Sequence, residues 1–296
     1  PGDAADLDQP GLQALISSNS TALHLLRMGL GRRCVVPTDT APVNLAQSSR
    51  DLIHLKSLAM LLRAEGRLAE MEHRNADAAR SYVEAIGVGT AMSRGGMLIN
   101  RMVGIACEGI GCLALVKLLP ELQCEEMRPL VRELEELDAG TVKWEEVVQA
   151  ENRFVRSQVG AYPNPIKLGW DIWQARKMRQ TSLTRHQMAA AHLRLLFTEM
   201  ALRCYRCDHG SKAPEGLALL SASYLRATPQ DPFTQRNLAY LPQGTNWLLY
   251  SFGPDRVDDG GRPARRMEPN DFLIAMGGQN AAALQPKGDV RYDSPW

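Results

Sequence analysis

The residues best suited to chemistry lie near the carboxyl end. Asp255, Asp258 and Asp259 put three carboxylates within five residues of the loop Asp255-Arg256-Val257-Asp258-Asp259-Gly260-Gly261, and Asp271 follows downstream. Carboxylates this close repel one another unless water solvates them or a cation neutralises them. A hard ion such as Ca²⁺ takes six to eight oxygens, from carboxylates and from carbonyls that glycine-rich turns aim inward. The loop is not an EF-hand, whose third position would be Val257 and twelfth Arg266. The competing reading is a solvated acidic turn paired with Arg262, Arg265 and Arg266.

A second candidate is Cys204-Tyr205-Arg206-Cys207, a CxxC. Redox CxxC pairs sit at a helix start, where the amide dipoles lower the thiol pKa. This one closes a helical pattern, where the dipole has the opposite sign, and both sulfurs continue an apolar stripe. Buried, inert thiols are the expectation, and a thiol redox protein would need Cys204 or Cys207 exposed with a depressed pKa. His209 comes one residue too late for a CxxCH haem site, and Cys204, Cys207 and His209 make at most a weak metal set. Cys107 and Cys112 lie five apart on one helix, about 140° around its axis, and cannot bridge each other.

His24, His54, His73, His186 and His192 fall in helical patterns and pair with no nucleophile motif. No GxSxG, HExxH, P-loop or GxGxxG occurs, and Gly87-Val88-Gly89 lacks the third glycine. Glu133, Glu135 and Glu136 read as a solvated helix face. No catalytic residue is assigned, and Ca²⁺ is the one cofactor expected.

The chain has 296 residues, 45% of them apolar, and Lys+Arg 34 against Asp+Glu 33 leaves a net charge of +1. That balance gives no field for nucleic acid, and the length suits about two domains. No run reaches 18 consecutive apolar residues, so no membrane span is expected. The start, Pro1-Gly2-Asp3, reads as a processed or trimmed form, so the lack of a leader says nothing about the compartment.

Residues 1–160 carry the helical period and read as a bundle or a stack of hairpins. Leu55, Leu58, Leu62, Gly66 and Ala69 draw one stripe, Ile99, Met102, Val103, Ala106, Ile110 and Leu113 a second. Trp144, Val147, Val148, Glu151, Phe154 and Val155 draw a third, interrupted by its one acid. Asn75-Ala76-Asp77 reads as a turn with Asp77 capping a helix from Ala78, and Pro129 as the start of a helix that stops near Gly140. Gly66, Ala69, Ala78, Tyr82 and Ala85 match the small-and-aromatic spacing of a tetratricopeptide repeat, without a second copy.

Pro163-Asn164-Pro165 breaks the pattern, and Trp170 and Trp173 lead into a second module, 161–296. Its long helix is expected over 184–208. Its β-hairpin, 237–252, pairs Leu238–Leu241 with Trp247–Phe252 across a five-residue loop, and the Asp/Gly-rich loop follows over 253–271. Phe272-Leu273-Ile274 hints at one more strand. The fold class is α+β.

This second module resembles the globular domain of type II secretion major pseudopilins. A long helix ends in Tyr205, Asp208 and Gly210; Pro214 and Leu217 to Leu220 follow, then Tyr224-Leu225. Pro229-Gln230-Asp231-Pro232-Phe233, Tyr240 and Leu249-Tyr250-Ser251-Phe252-Gly253-Pro254-Asp255 complete the order over about 90 residues, 184 to 275. The resemblance implies a calcium loop in which Asp255 and Asp271 are ligands; Asp258 and Asp259 are added from composition. Arg256 stands where the family has glycine, and some 180 mostly helical residues replace the apolar amino-terminal segment of a pilin subunit. The whole chain also resembles uncharacterised bacterial envelope proteins. That implies a periplasmic, cell-envelope or secreted location and a non-catalytic scaffold that binds another protein. The second reading is a hydrolase-like enzyme with a pocket near Trp170, Trp173 and the 255–271 loop.

Overall fold

The computed structural model describes residues 7–36, 45–158, 165–221 and 223–261, without side chains for 45–49, 157–158 and 165–177. The described chain is α+β, mostly helix with one small antiparallel sheet. Phe272-Leu273-Ile274, Asp271 and the arginines at 262, 265 and 266 lie outside the described residues, as do the side chains of Trp170 and Trp173.

The helices are α1 (Gln9–Ser18), α2 (Ser20–Leu30), α3 (Leu45–Met71), α4 (Asn75–Ser93), α5 (Leu98–Leu118), α6 (Cys124–Ala139), α7 (Trp144–Gln158) and α8 (Pro165–Asp208). They belong to two compact units that interleave along the chain. One takes residues 1–122 and 139–186, the other 123–138 and 187–296. The long helix ends at Asp208 as read but begins at Pro165, because proline at the first helical position lacks only an N–H that the helix would leave unpaired anyway.

In the first unit, α3, α4 and α5 pack as successive antiparallel neighbours. Gly66 and Tyr82 meet across α3 and α4: a Cβ on Gly66 would lie 2.3 Å from the Tyr82 ring. The Tyr82 hydroxyl donates to Glu70, 2.5 Å away. The turn between α3 and α4 is Glu72-His73-Arg74 rather than 75–77, with His73 in a left-handed conformation (φ 57). Asp77 accordingly lies in the first turn of α4, paired with Arg74 at 2.7 Å, and His73 is not helical. The Leu55–Ala69 stripe faces inward, joining Leu23, Ala85, Val88, Met92 and Cys107 in the core.

The α5 stripe behaves otherwise. Its buried face is Asn100, Arg101, Gly104, Cys107, Glu108, Gly111, Cys112, Leu115 and Leu118. The apolar positions Ile99 and Leu113 stay 46% and 65% exposed, and Met102 and Ala106 are half-buried. Glycines explain the choice of face. A Cβ on Gly104 would lie 2.6 Å from the Gly89 carbonyl, so α4 and α5 touch backbone to backbone there. Leu98–Glu121 is long and apolar enough to cross a membrane, and its most apolar stretch is a little under half buried. It is the one such helix among the described residues. Glu151, the acid in the third stripe, accepts the Leu98 N–H at 3.1 Å and so closes the amino end of α5.

In the second unit, α6 starts at Cys124 and keeps Pro129 inside it, five residues later than a proline-opened helix would allow. It buries Met127, Leu130, Val131 and Leu134, and α8 buries Leu193, Leu196, Phe197 and Met200. The sheet is β1 (Ala239–Gln243) and β2 (Asn246–Tyr250), in register from Ala239↔Tyr250 to Gln243↔Asn246. The hairpin loop is therefore two residues, Gly244-Thr245, rather than five. Gly244 supplies the left-handed φ of 68° that a two-residue turn demands. Pro242 is accepted inside β1 because a two-stranded sheet has only edge strands.

Candidate functional site

The acidic loop leaves β2 through Ser251 and Gly253. Asp255 and Asp258 are exposed and Asp259 is half-buried. The Asp258 carboxylate accepts the Tyr250 hydroxyl at 2.8 Å and the Gly260 N–H at 2.9 Å, and Asp255 accepts the Val257 N–H at 3.3 Å. The two bonds to N–H groups are local turn bonds. Among the described residues no three acidic, histidine or cysteine side chains converge as a metal would need. Asp271, the fourth ligand expected, lies outside the described residues. Arg256 holds a left-handed φ of 61°, a conformation that favours glycine.

The side chain that organises this region is Asp231, fully buried. One carboxylate oxygen accepts the N–H groups of Phe233 (2.9 Å) and Thr234 (2.7 Å) and the Thr234 hydroxyl (3.0 Å). The other accepts the Ser251 hydroxyl and the Phe252 N–H (3.1 Å). Five donors on one carboxylate tie the Pro229–Phe233 turn to the end of β2. Around it, Arg194 of α8 donates to the Gln230 carbonyl (2.8 Å) and to Asp138 of α6. The Trp247 indole N–H donates to Glu199 (2.7 Å), and the Tyr240 hydroxyl to the Pro214 carbonyl (2.7 Å). The motif pieces thus meet one another in space. Asp231 carried a readable signal, an aspartate before proline in a turn, without being singled out as a site.

At the carboxyl end of α8 a disulfide joins Cys207 to Cys124, with Cα atoms 6.7 Å apart and 83 residues between them in sequence. This corrects the expectation of an inert buried pair: Cys207 is exposed and bridged, whereas Cys204 is buried and free. The Cys204 thiol lies 3.6 Å from the Cys124 carbonyl, to which it donates. Burial pushes that thiol up to about 11. Beside the cystine, Arg128 of α6 forks onto Asp208 (2.6 and 2.8 Å), and the Tyr224 hydroxyl donates to the same carboxylate at 2.6 Å. Those two bonds, Arg128 first, hold the Asp208 carboxyl below its ordinary range. Burial, then the Asp208 contact, pushes Tyr224 up to about 12. Tyr205 and His209 stack in parallel, ring centres 3.8 Å apart.

Two further polar groups lie buried. Glu135, read as solvated, is buried and accepts the Arg226 N–H at 2.8 Å. In the first unit, Arg101 is 1% exposed and bonds Glu108 (2.5 Å), the Ser93 hydroxyl (3.3 Å) and Nδ1 of His186 (2.9 Å). Arg101 and Glu108 lie seven residues apart, two turns of one helix face, which was the signal available in the sequence. Cys107, on the same buried face, has its thiol pushed up to about 12 by burial. Compared with protein-family models, curated proteins and solved structures, the chain gives no match.

Proposed function

We propose that this chain is a non-catalytic scaffold of the cell envelope, with a pseudopilin-like carboxyl-terminal module and a helical part that docks an apolar surface of another protein. The observation that carries the docking is the α5 face of Ile99, Met102, Ala106 and Leu113, left partly open while the Gly, Arg and Glu face is buried. A contiguous exposed apolar face is one mark of an interaction surface. The Cys124–Cys207 disulfide favours the envelope, because such bonds persist in oxidising compartments. The polar groups with chemical potential support a structural role: Asp231, Asp208, Arg101 and Glu108 are each spent on internal bonds. The pseudopilin likeness rests on the motif residues, which gather around Asp231.

A photo-crosslinking residue at Leu113, with one at the exposed Arg63 as control, tests the docking in cells. Adducts from position 113 alone support it, and Leu113→Glu then weakens function; equal yields or none remove it. Acid-quenched alkylation of cells reads the bridge directly, and a reduced Cys124–Cys207 pair would end the envelope reading. Calcium belongs to this reading through Asp255 and Asp271. Millimolar Ca²⁺ raises the melting temperature of the metal-stripped chain and fails to do so in Asp255→Ala; without that rise, the loop is a solvated turn.

A further inference from the structure

We propose that Cys124, Cys204 and Cys207 form an internal thiol–disulfide exchange site, in which Cys204 displaces Cys207 from Cys124 and frees a thiol at the surface. Cys204 and Cys207 are three residues apart on α8, so their side chains share a face and neighbour one another. Cys204 already lies against Cys124, bonded to its carbonyl. Both possible bridges join the same two helices, so exchange keeps α6 tied to α8. Cys124 is the first residue of α6, and the positive end of that helix draws an attacking thiolate towards its sulfur.

The step balances within the protein. Cys204 gives up its proton to solvent, and its Sγ bonds to Cys124 Sγ. The Cys124–Cys207 bond breaks, and Cys207 leaves as a thiolate that takes a proton back. One disulfide exists before and one after, with no oxidant or reductant consumed. The buried Cys204 thiol is the slow partner at neutral pH, since burial keeps nearly all of it protonated. The released Cys207 is exposed, and that thiol is the form able to attack a cystine of another molecule.

The test uses the oxidised chain without reductant, after blocking the exposed Cys34 at neutral pH. Iodoacetamide is then added over a pH series, and peptides are mapped by mass. The expected product carries alkylated Cys207 and a Cys124–Cys204 bridge. Its rate of formation rises about tenfold per pH unit below the Cys204 pKa. In a second arm, Cys207→Ser oxidised with glutathione disulfide should form the Cys124–Cys204 bridge. If Cys207 stays bridged to Cys124 at every pH, or if Cys124 and Cys204 of the variant both remain alkylatable while circular dichroism shows it folded, the proposal falls. A variant that fails to fold leaves the wild-type trapping to decide alone.

Discussion

Asp231 is where a single residue matters most in the second unit. Its two oxygens serve five donors with no water between, so Asp231→Ala strands buried N–H and O–H groups from two segments. Each such loss costs about 1–3 kcal/mol, so a total of at least about 3 kcal/mol is expected. Asp231→Asn keeps the volume but turns an amide towards donors, and should cost about 2 kcal/mol. Urea midpoints at unchanged m-value would read both. A variant within about 0.5 kcal/mol of wild type would mean the carboxylate ties nothing together. His192 of α8 gives a pH signature of its own. Burial pushes it down to about 4, against an unfolded value of 6.5. Between those values the unfolded chain binds the proton and the folded one does not, so stability falls as pH drops from 6.5 towards 4. His192→Gln should flatten the melting-temperature profile over that window; a profile with unchanged slope would refute the assignment. The acids at 255, 258 and 259 show what residue type leaves open at this scale. Their spacing was legible, but each oxygen's partner depends on where the Tyr250 hydroxyl and the loop amides fall.

Among the elements, the contact of α4 with α5 is set by side chains that are missing. A Cβ on Gly104 would meet the Ser93 hydroxyl at 2.2 Å and the Gly89 carbonyl at 2.6 Å, and backbone cannot yield cheaply. Gly109 lies on the other side of the same helix with nothing within 4 Å. Helix propensity favours alanine over glycine by about 1 kcal/mol at either position. Gly109→Ala should therefore stabilise by up to about 1 kcal/mol, and Gly104→Ala should destabilise by about 2 kcal/mol or more. Paired thermal melts would decide it, and equal shifts of one sign would mean the helices do not touch there. The same geometry explains what the sequence hid. Helix existence was legible on α3, α4, α5 and α7 because periodicity reports amphipathicity. Which face turns inward on α5 was not, because close approach selects Gly104 and Gly111 over Leu113. Hydropathy scores a glycine, an arginine and a glutamate as solvent-facing, yet Arg101 and Glu108 neutralise each other inside the bundle. The hairpin was legible for a different reason: two β-rich runs flank Gly244, although the pairing extends closer to the turn than the runs suggested.

For the molecule as a whole, the chain order is the obstacle to reading. Residues 123–138 belong with 187–296, and residues 139–186 return to the first unit, so no single point in the sequence separates the two. Six cysteines admit 15 complete pairings, and nothing local favours Cys124 with Cys207. The bridge closes a loop of 83 residues, and a constraint on so long a segment chiefly disfavours the unfolded chain. Removing it should cost about 2–4 kcal/mol. The exchange proposed for Cys204 makes the cost depend on which cysteine is removed. Cys124→Ser abolishes both bridges and should lose the full amount. Cys207→Ser leaves Cys204 free to pair with Cys124, so the oxidised variant should keep most of its stability. Under a strong reductant wild type and both variants should converge to within about 0.5 kcal/mol, since only the bridge distinguishes them. Oxidised variants that melt together, well below wild type, would show that Cys204 never replaces its neighbour. A wild type indifferent to reductant would show that the bridge contributes no stability, whichever sulfur completes it.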